Sequence, residues 1–511
     1  MILKRGLPMR KVPIHKPVSW LLTLVLLSAA APALAQKPLL KKAGGEGLTI
    51  DPATLMQPMK GDLDAMIERR LVRVLTVPSK TNYFQDKGTQ RGITYDAFKL
   101  VEQELNKKLE KEKKLKQKHL KVRVVFIPVG RSQLLQALAD GKGDIAAASL
   151  TVTPERKKLV DFAAPIATGV SEVVVTGPAS PAIATLDDLA GKEVFVRKSS
   201  SYYDSLVALN KRFASESKKA VAIKEAPEQL EDEDLLEMLN AGLVAVLVVD
   251  KHTADFWKQV FENIKVHDGV AVRTGGEIAW AIRKDNPQLK AGLEKFVAAA
   301  TSGRLAKQRE QLFARYLKSA KYLKNAASEE ERRKFLALIQ FFQTYGEKYN
   351  VDWLLMAAQG YQESALNQNA KSAVGAIGVM QLMPATGKEM KVGDITQTEA
   401  NINAGIKYMR FMIDQYYEKE PMTPLDKALF AFASYNAGAG RVSSLRKEAA
   451  KRGLDPNVWF QNVEYVAAEK VGQETVTYVS NIYKYYVAYR LMLESRQARE
   501  QAMEKLKGGK K

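Results

Sequence analysis

The 511-residue chain contains no cysteine. That absence removes a disulfide framework, a thiol nucleophile and zinc–thiolate sites together, and it leaves no residue for lipid attachment at a processed N-terminus. Histidine is nearly as scarce, and the three beyond residue 35, His119, His252 and His267, have no metal-ligand spacing. There is no Gly-Lys-Ser/Thr phosphate loop, helix-turn-helix, zinc finger or aromatic RNA-binding motif, and no internal repeat. The sequence thus calls for no cofactor, no metal and no nucleic acid. Beyond residue 35 no apolar run reaches the length of a membrane-spanning helix.

What the chain has in excess is positive charge. The formal net charge is +21, and the first 35 residues carry five of those positives and no acid, which leaves 16 for the remainder by subtraction. Lysines solvating helix faces account for part of it, and an anionic wall polymer or anionic lipid is as good an electrostatic partner as nucleic acid. Lys4, Arg5, Arg10, Lys11 and Lys16 precede an apolar run from Val18 to Ala31, and Ala33-Leu34-Ala35 has the small-x-small form of a cleavage site before Gln36. Residues 1–35 therefore read as an export signal, with an uncleaved anchor as the alternative. The product is expected in the periplasm.

The length, with 46% hydrophobic residues, is enough for more than one core. Residues 36–67 read as an N-terminal linker, since Pro, Gly and scattered charge dominate up to about Lys60. From Leu71 strands alternate with helices: Val72–Val77 and Val122–Ile127 as strands, Tyr95–Leu105 as an amphipathic helix, Leu134–Leu138 as a helix and Gly143–Ala148 as a strand. The lysine-rich stretch Lys107–Lys121 reads as an exposed helix extension. This alternation predicts an open α/β sheet with ligands outside strand ends. Residues 301–330 read as a basic helical linker, and 494–511 as a charged, frayed tail.

Between Gln359 and Thr386 runs QGYQESALNQNAKSAVGAIGVMQLMPAT. Val351 to Gln362 has helical spacing, so Glu363 falls at a helix end, on one stripe with Met356, Gln359 and Gly360 and without a partner Lys or Arg. A carboxyl held against apolar and small neighbours is disfavoured as the anion. Raising its pKa by ~2 units takes on the order of 3 kcal/mol of differential interaction, which partial burial supplies. Gly375 and Gly378 let backbone approach a ligand or another segment, and Tyr435 and Asn436, at the end of an apolar helix, add a ring, a hydroxyl and an amide.

Glu363-Ser364, Asn369-Ala370-Lys371-Ser372, Gly375-Ala376, Gly378 to Pro384 and Tyr435-Asn436-Ala437-Gly438, in that order, resemble the catalytic domain of soluble-type lytic murein transglycosylases. The resemblance implies a lysozyme-like fold in which one glutamate, at Glu363, is acid and then base on the bond between N-acetylmuramic acid and N-acetylglucosamine. The muramyl C6 hydroxyl then replaces water and leaves a 1,6-anhydro end. It also implies that Ser364, Met380, Gln381, Tyr435 and Asn436 line the saccharide cleft and that Tyr478 hydrogen-bonds near the glutamate. A hydrolase wants a second carboxylate ~5 Å away if retaining or ~6.5–9.5 Å away if inverting. The next acid after Glu363 in sequence is Glu389, beyond the glycine loop. Attack by an internal hydroxyl needs only one protein carboxyl.

Further upstream, Leu138-Ala139-Asp140-Gly141 with Asp144, Ser149 to Arg156, Asp161 to Pro165 and Leu186 to Lys192 resemble the family 3 extracellular solute-binding proteins over roughly residues 68–300. These are two-lobed receptors for amino acids and similar solutes. The resemblance implies that Arg156 clamps a ligand carboxylate, Thr151 assists and Asp250 takes the ammonium, the pairing that a zwitterion requires. In place of a Gly-rich turn after the second-lobe strand, this chain has Lys198-Ser199-Ser200-Ser201-Tyr202-Tyr203, so the identity of the ligand is open.

The fold class expected is multi-domain: a two-lobed, periplasmic-binding-protein-like α/β domain over 68–300, then a mainly helical lysozyme-like domain over 331–493. This fusion resembles the membrane-bound lytic murein transglycosylase F type. That implies glycan strands of peptidoglycan as partner, a small amino acid or wall peptide at the receptor domain, and a location peripheral to the outer membrane. A muramidase-type hydrolase and a non-catalytic wall-binding or solute-sensing protein are the alternatives.

Overall fold

The computed structural model describes residues 56–86, 89–115, 120–318 and 329–508. The export signal read in 1–35, residues 36–55 of the expected linker and His119 lie outside them.

Strand β1 (Leu71–Thr76) is almost wholly buried, as a central parallel strand must be, and it pairs in parallel with β2 (Arg123–Pro128) and β3 (Ile145–Thr151). The remaining strands of the sheet are β4 (Asp161–Phe162), β5 (Ala167–Thr176), β6 (Glu193–Arg197), β7 (Ala222–Ala226), β8 (Val246–Asp250) and β9 (Lys265–Ile282). The order is β2-β1-β3-β9-β5-β8-β6-β7, with β4 on β9. Two separate cores flank it. Val74, Phe98, Phe126 and Ile282 belong to the first lobe, and Val174, Leu206, Val248 and Trp257 to the second. Among the described residues only the long strands β5 and β9 pass between them, antiparallel, and their register slips repeatedly between His267 and Ile278. That irregular pair is the hinge of a two-lobed receptor fold.

The stretch expected to be an N-terminal linker is partly built into the first lobe. Helix α1 (Leu63–Glu68) sinks Met66 into the core, and Asp62 caps it while also accepting from the backbone N–H groups of Gln288 (2.7 Å) and Leu289 (2.9 Å). Arg73, buried in β1, donates to the carbonyls of Gln57 (2.8 Å) and Met59 (3.1 Å) and pairs with the buried Asp144 (3.1 Å). Helix α2 (Ile93–Lys111) ends before most of the lysine-rich stretch. Helix α3 (Lys251–Trp257) follows β8 in the second lobe, and α4 (Pro287–Thr301) returns to the first. The expected helical linker is likewise packed as far as it is described. Helix α5 (Ala306–Phe313) and a π turn (Ala314–Lys318) fold onto α2, where buried Tyr316 donates to Asp96 Oδ2 at 2.8 Å.

The helical unit is built from α6 (Glu329–Tyr349), α7 (Trp353–Ser364), α8 (Thr398–Tyr416), α9 (Pro424–Ala437) and α10 (Gln473–Gly508), with shorter helices between them. Gly360 lets α7 approach its neighbours: a Cβ there would sit 3.1 Å from both Phe342 and Val379. Helix α10 corrects the frayed-tail expectation. It runs unbroken through residues 494–508 and buries Ala502 among the second-lobe core residues. Its Glu, Ala, Gln, Arg and Lys content favours helix, and the charge that suggested fraying is overridden by the contact of Ala502 and Met503 with the second lobe. The two domains also meet where Glu464, fully buried, is held by Arg70 and by Arg123 at 3.1 Å. Among the described residues no helix is long and apolar enough to cross a membrane.

Candidate functional site

Helix α7 stops abruptly: Ala365 (φ 52°) and Leu366 (φ 63°) are left-handed, and their N–H groups return to the carbonyls of Tyr361 (2.8 Å) and Gly360 (3.3 Å). Glu363 thus sits in the last turn, at the negative end of the helix dipole, where a carboxylate is disfavoured. Its side chain faces an opening lined by Gln362, Asn436, Glu474, Thr477 and Tyr478, with no Lys or Arg among them. The Tyr478 hydroxyl donates to Glu363 Oε1 and accepts from Gln359 Nε2 at 3.0 Å. Burial pushes the Glu363 carboxyl up to about 7, against the opposing effect of the hydrogen bonds from Tyr478 and Gln359. Burial likewise holds the Tyr478 phenol well above its ordinary range, so it remains a donor. With Oε1 accepting, a proton on this carboxyl resides on Oε2. A half-protonated acid at neutral pH, next to open space and without a cation, can give a proton to a leaving oxygen and afterwards take one back.

The other residues expected at the saccharide cleft divide into two groups. Asn436 is exposed at the opening, oriented by the Thr475 hydroxyl, which donates to its Oδ1 at 2.7 Å. Ser364, Met380, Gln381 and Tyr435 instead brace the glycine loop. Ser364 Oγ donates to the Val379 carbonyl (2.9 Å) and the Tyr435 hydroxyl to the Met380 carbonyl (2.7 Å), so consecutive loop carbonyls are held from the ends of α7 and α9. Gln381, itself left-handed at φ 44°, donates through Nε2 to the Gly378 carbonyl at 2.8 Å. The Met380 side chain is buried against Gly405, where a Cβ would come within 2.6 Å. Gly378 (φ 80°) is required by the same packing, since a Cβ there would lie 2.5 Å from the amide of Asn401. Asn401 is fully buried, accepting from Met380 N (2.8 Å) and donating to the Ile377 carbonyl (2.9 Å).

Sequence reasoning missed Gln359, Thr475 and Asn401 in these roles. It also missed Glu474, the carboxyl that the fold brings to the opening in place of Glu389. Glu474 opens α10 more than a hundred residues after Glu363, so only the asparagine-rich helix start at Asn401 and the polar Gln359 in an apolar stripe carried a local signal.

In the receptor domain, Thr151, Arg156 and Asp250 do come together, around a small cavity of ~50 Å³ between the lobes. Arg156 donates to the carbonyls of Thr151 (2.8 Å) and, across the cleft, of Ser199 (3.0 Å), and burial lowers its pKa to about 10. Burial pushes the Asp250 carboxyl up to about 8, reinforced by Asp232 and Glu172, and its Oδ1 has no hydrogen-bond partner. The hydroxyl-rich departure at residues 198–203 contributes Tyr202, which donates to Asp232 Oδ2 (3.0 Å) and accepts from Asp250 N (3.1 Å). Two ion pairs went unforeseen: Arg131 to Glu231 across the lobes at 2.6 Å, and Arg197 to Asp232 at 2.5 Å. No group of described residues forms a metal site.

Comparison with known proteins matches residues 340–457 to the transglycosylase SLT domain and residues 72–316 to the bacterial extracellular solute-binding proteins, family 3. A protein of Pseudomonas fluorescens strain Pf0-1 named membrane-bound lytic murein transglycosylase F is 28% identical over 83% of this chain and 85% of its own. One of the same name from Idiomarina loihiensis is 28% identical over 82% of this chain and 90% of its own. A solved substrate-binding protein of an amino acid ABC transporter aligns with 49% of this chain and all of its own at 19% identity, with a TM-score of 0.39. Residues 72–316 are therefore similar to the family 3 solute-binding proteins and residues 340–457 to the transglycosylase SLT domain, in a chain similar over most of its length to proteins named membrane-bound lytic murein transglycosylase F.

Proposed function

We propose that this chain is a peptidoglycan lytic transglycosylase of the periplasm, associated with a membrane as its relatives' name states. The observation that carries the proposal is the Glu363 carboxyl, buried, raised to about 7 and held by Tyr478 beside a cleft without cations. Glu363 Oε2–H protonates the glycosidic oxygen as the bond from muramyl C1 breaks. The resulting carboxylate then takes the proton of the C6 hydroxyl as that oxygen bonds to C1, leaving a 1,6-anhydromuramyl end with no net water consumed. Asn436 and Tyr478 contact saccharide directly, while Ser364, Met380, Gln381 and Tyr435 act by holding the loop that forms the cleft wall.

Residues 68–300 act as a receptor for a small polar solute, with Asp250 as the site of its cationic group and Arg156 and Thr151 on its anionic side. Solute reaches catalysis through contacts that join the domains: Tyr361, two residues before Glu363, donates its hydroxyl to Thr89 Oγ1 of the first lobe at 3.0 Å. A solute that favours one lobe arrangement shifts Glu363 only if that arrangement differs in such contacts.

Digestion of purified peptidoglycan by the intact protein and by Glu363→Gln, with mass spectrometry of the released fragments, tests the proposal. Fragments lighter by one water, absent with the variant, are expected. Reducing-end products abolished by Glu474→Gln would make the enzyme a hydrolase with Glu474 as second carboxyl, and no products at all would leave a binding protein.

A further inference from the structure

Behind the small solute cavity lies a second, larger chamber of ~420 Å³ that the function above does not use. Its walls come from α2, α3, α4, α5 with the π turn, and the hinge ends of β5 and β9, and they present Ala97, Leu100, Val170, Trp280, Phe296 and Leu312. It is nearly three times the ~150 Å³ of an apolar cavity that stays dry and takes up benzene, and it lies within the range of small-molecule pockets. It opens to solvent past Thr168, Gly169 and Thr301, so a ligand can enter it without the lobes coming apart.

Its charged neighbours are already neutralised or engaged. Lys251 pairs with Asp255 at 2.7 Å, and Arg309 donates to the Ile166 carbonyl while its guanidinium lies 4.5 Å from the Phe313 ring centroid. The chamber and the solute cavity share Asn82, Ser149, His252 and Leu317 as a common wall. On that wall Ser149 donates to Asn82 Oδ1 at 2.9 Å, and burial lowers the pKa of His252, which keeps the imidazole neutral. The seam therefore offers uncharged donors and acceptors next to an apolar space.

We propose that the chamber binds the aliphatic chain of a neutral amphiphile, whose small uncharged head hydrogen-bonds at the Asn82, Ser149 and His252 seam. The proposal rests on the reading of residues 68–300 as a solute receptor and gives that receptor a second, lipophilic class of ligand. Lys251 and Asp255 already neutralise each other, so a charged head at the seam of Asn82, Ser149 and neutral His252 finds no free opposite charge there, which disfavours fatty acids and alkylammonium ions.

The test is titration of the full-length protein with N-phenyl-1-naphthylamine, an uncharged dye whose fluorescence rises in apolar surroundings. Saturable binding of one dye per chain is expected, displaced by 1-monolauroylglycerol and at least about ten-fold less effectively by laurate or dodecylammonium. Ala97→Trp and Ala300→Trp, on different helices, fill the chamber from two sides and should each weaken the dye about ten-fold at an unchanged circular dichroism spectrum; Asp250→Asn should leave it unaltered. Absence of saturable uptake, or uptake indifferent to both tryptophans, overturns the chamber as a site. Equal displacement by the charged amphiphiles overturns the neutral head. Calorimetry with free amino acids reads the receptor separately: their binding without dye uptake refutes this inference alone, whereas dye uptake without any solute binding refutes the receptor reading.

Discussion

In the cleft between the lobes, Glu231 lies 2.6 Å from Arg131 and Asp232 lies 2.5 Å from Arg197, whereas Glu363 in the helical unit is hydrogen-bonded by a phenol and an amide at an opening lined by no Lys or Arg. Both clefts bury acids, but the first compensates most of them and so stays shut over ~50 Å³. The second leaves its acid without a counter-charge beside open space, and that acid is the one able to exchange a proton near neutral pH. The lesson is that burial alone does not make a catalytic acid. Burial beside arginine makes a latch, and burial beside neutral donors makes a titrating group. Asp250 is the exception in the first cleft, since burial raises it to about 8 and one oxygen remains unpartnered.

The most severe way to break the contrast is to remove the uncompensated acid. Glu363→Gln preserves shape and hydrogen-bonding capacity but cannot exchange the proton, and turnover of peptidoglycan should fall by about a thousand-fold or more with an unchanged fold. Next in size is the latch. Glu231→Gln can still cap its helix but removes the carboxylate paired with the largely buried Arg131, which should cost the closed arrangement about 3 kcal/mol and open the lobes. Small-angle scattering of the unliganded protein reads that as an increased radius of gyration, and no change would mean that the pair does not hold the lobes.

The uncompensated burial of Glu363 also predicts how folding stability depends on pH. The Glu363 carboxyl titrates at about 7 in the folded chain and at its ordinary 4.5 when unfolded, so protonation favours the fold. Its contribution is fully present below pH ~4.5, declines as pH rises through about 7 and is then constant. Glu363→Gln abolishes that decline. Urea unfolding should find the variant more stable than the parent above pH ~7 by about 2 kcal/mol, allowing for water in the open cleft, and equal to it near pH 4. A variant no more stable at high pH would show that the carboxyl is not held against ionisation.

How much of this was legible follows from how local each signal is. The alternation of strands and helices and the position of Glu363 at a helix end are written within a few turns of chain, and the glycine loop follows directly. Asp250 and Arg156 were reachable only through the resemblance to the solute-binding family, Arg156 closing the Ser149-to-Arg156 motif and Asp250 following the apolar run 246–249. The Arg131–Glu231 latch, Glu474 at the catalytic opening and Ala502 on the second lobe join segments about a hundred or several hundred residues apart, and no local pattern marks them. Ser364, Met380, Gln381 and Tyr435 were found as a group yet brace the loop, because sequence gives proximity to a motif but not the direction of a hydroxyl or an amide.

The smallest expected effect is the most discriminating. Tyr478→Phe removes the hydroxyl that donates to Glu363 Oε1, a bond that favours the anion and opposes burial. Its loss should raise the carboxyl above its present value of about 7, by less than about one unit since burial, the larger effect, is unchanged. Glu363 must be protonated to act as acid, so the basic limb of the rate against pH should move upward while the rate below the limb falls only modestly. Gln359 Nε2 loses its acceptor in the buried site, so some stability will be lost as well, but that loss moves the whole profile and not its midpoint. A midpoint that stays fixed would mean that another group sets the limb, Glu474 being the remaining carboxyl at the opening, and a midpoint that moves down would mean that Tyr478 holds the neutral acid. The second result would remove the contrast between the two clefts, because Glu363 would then owe its protonation to a hydrogen-bond partner and not to burial.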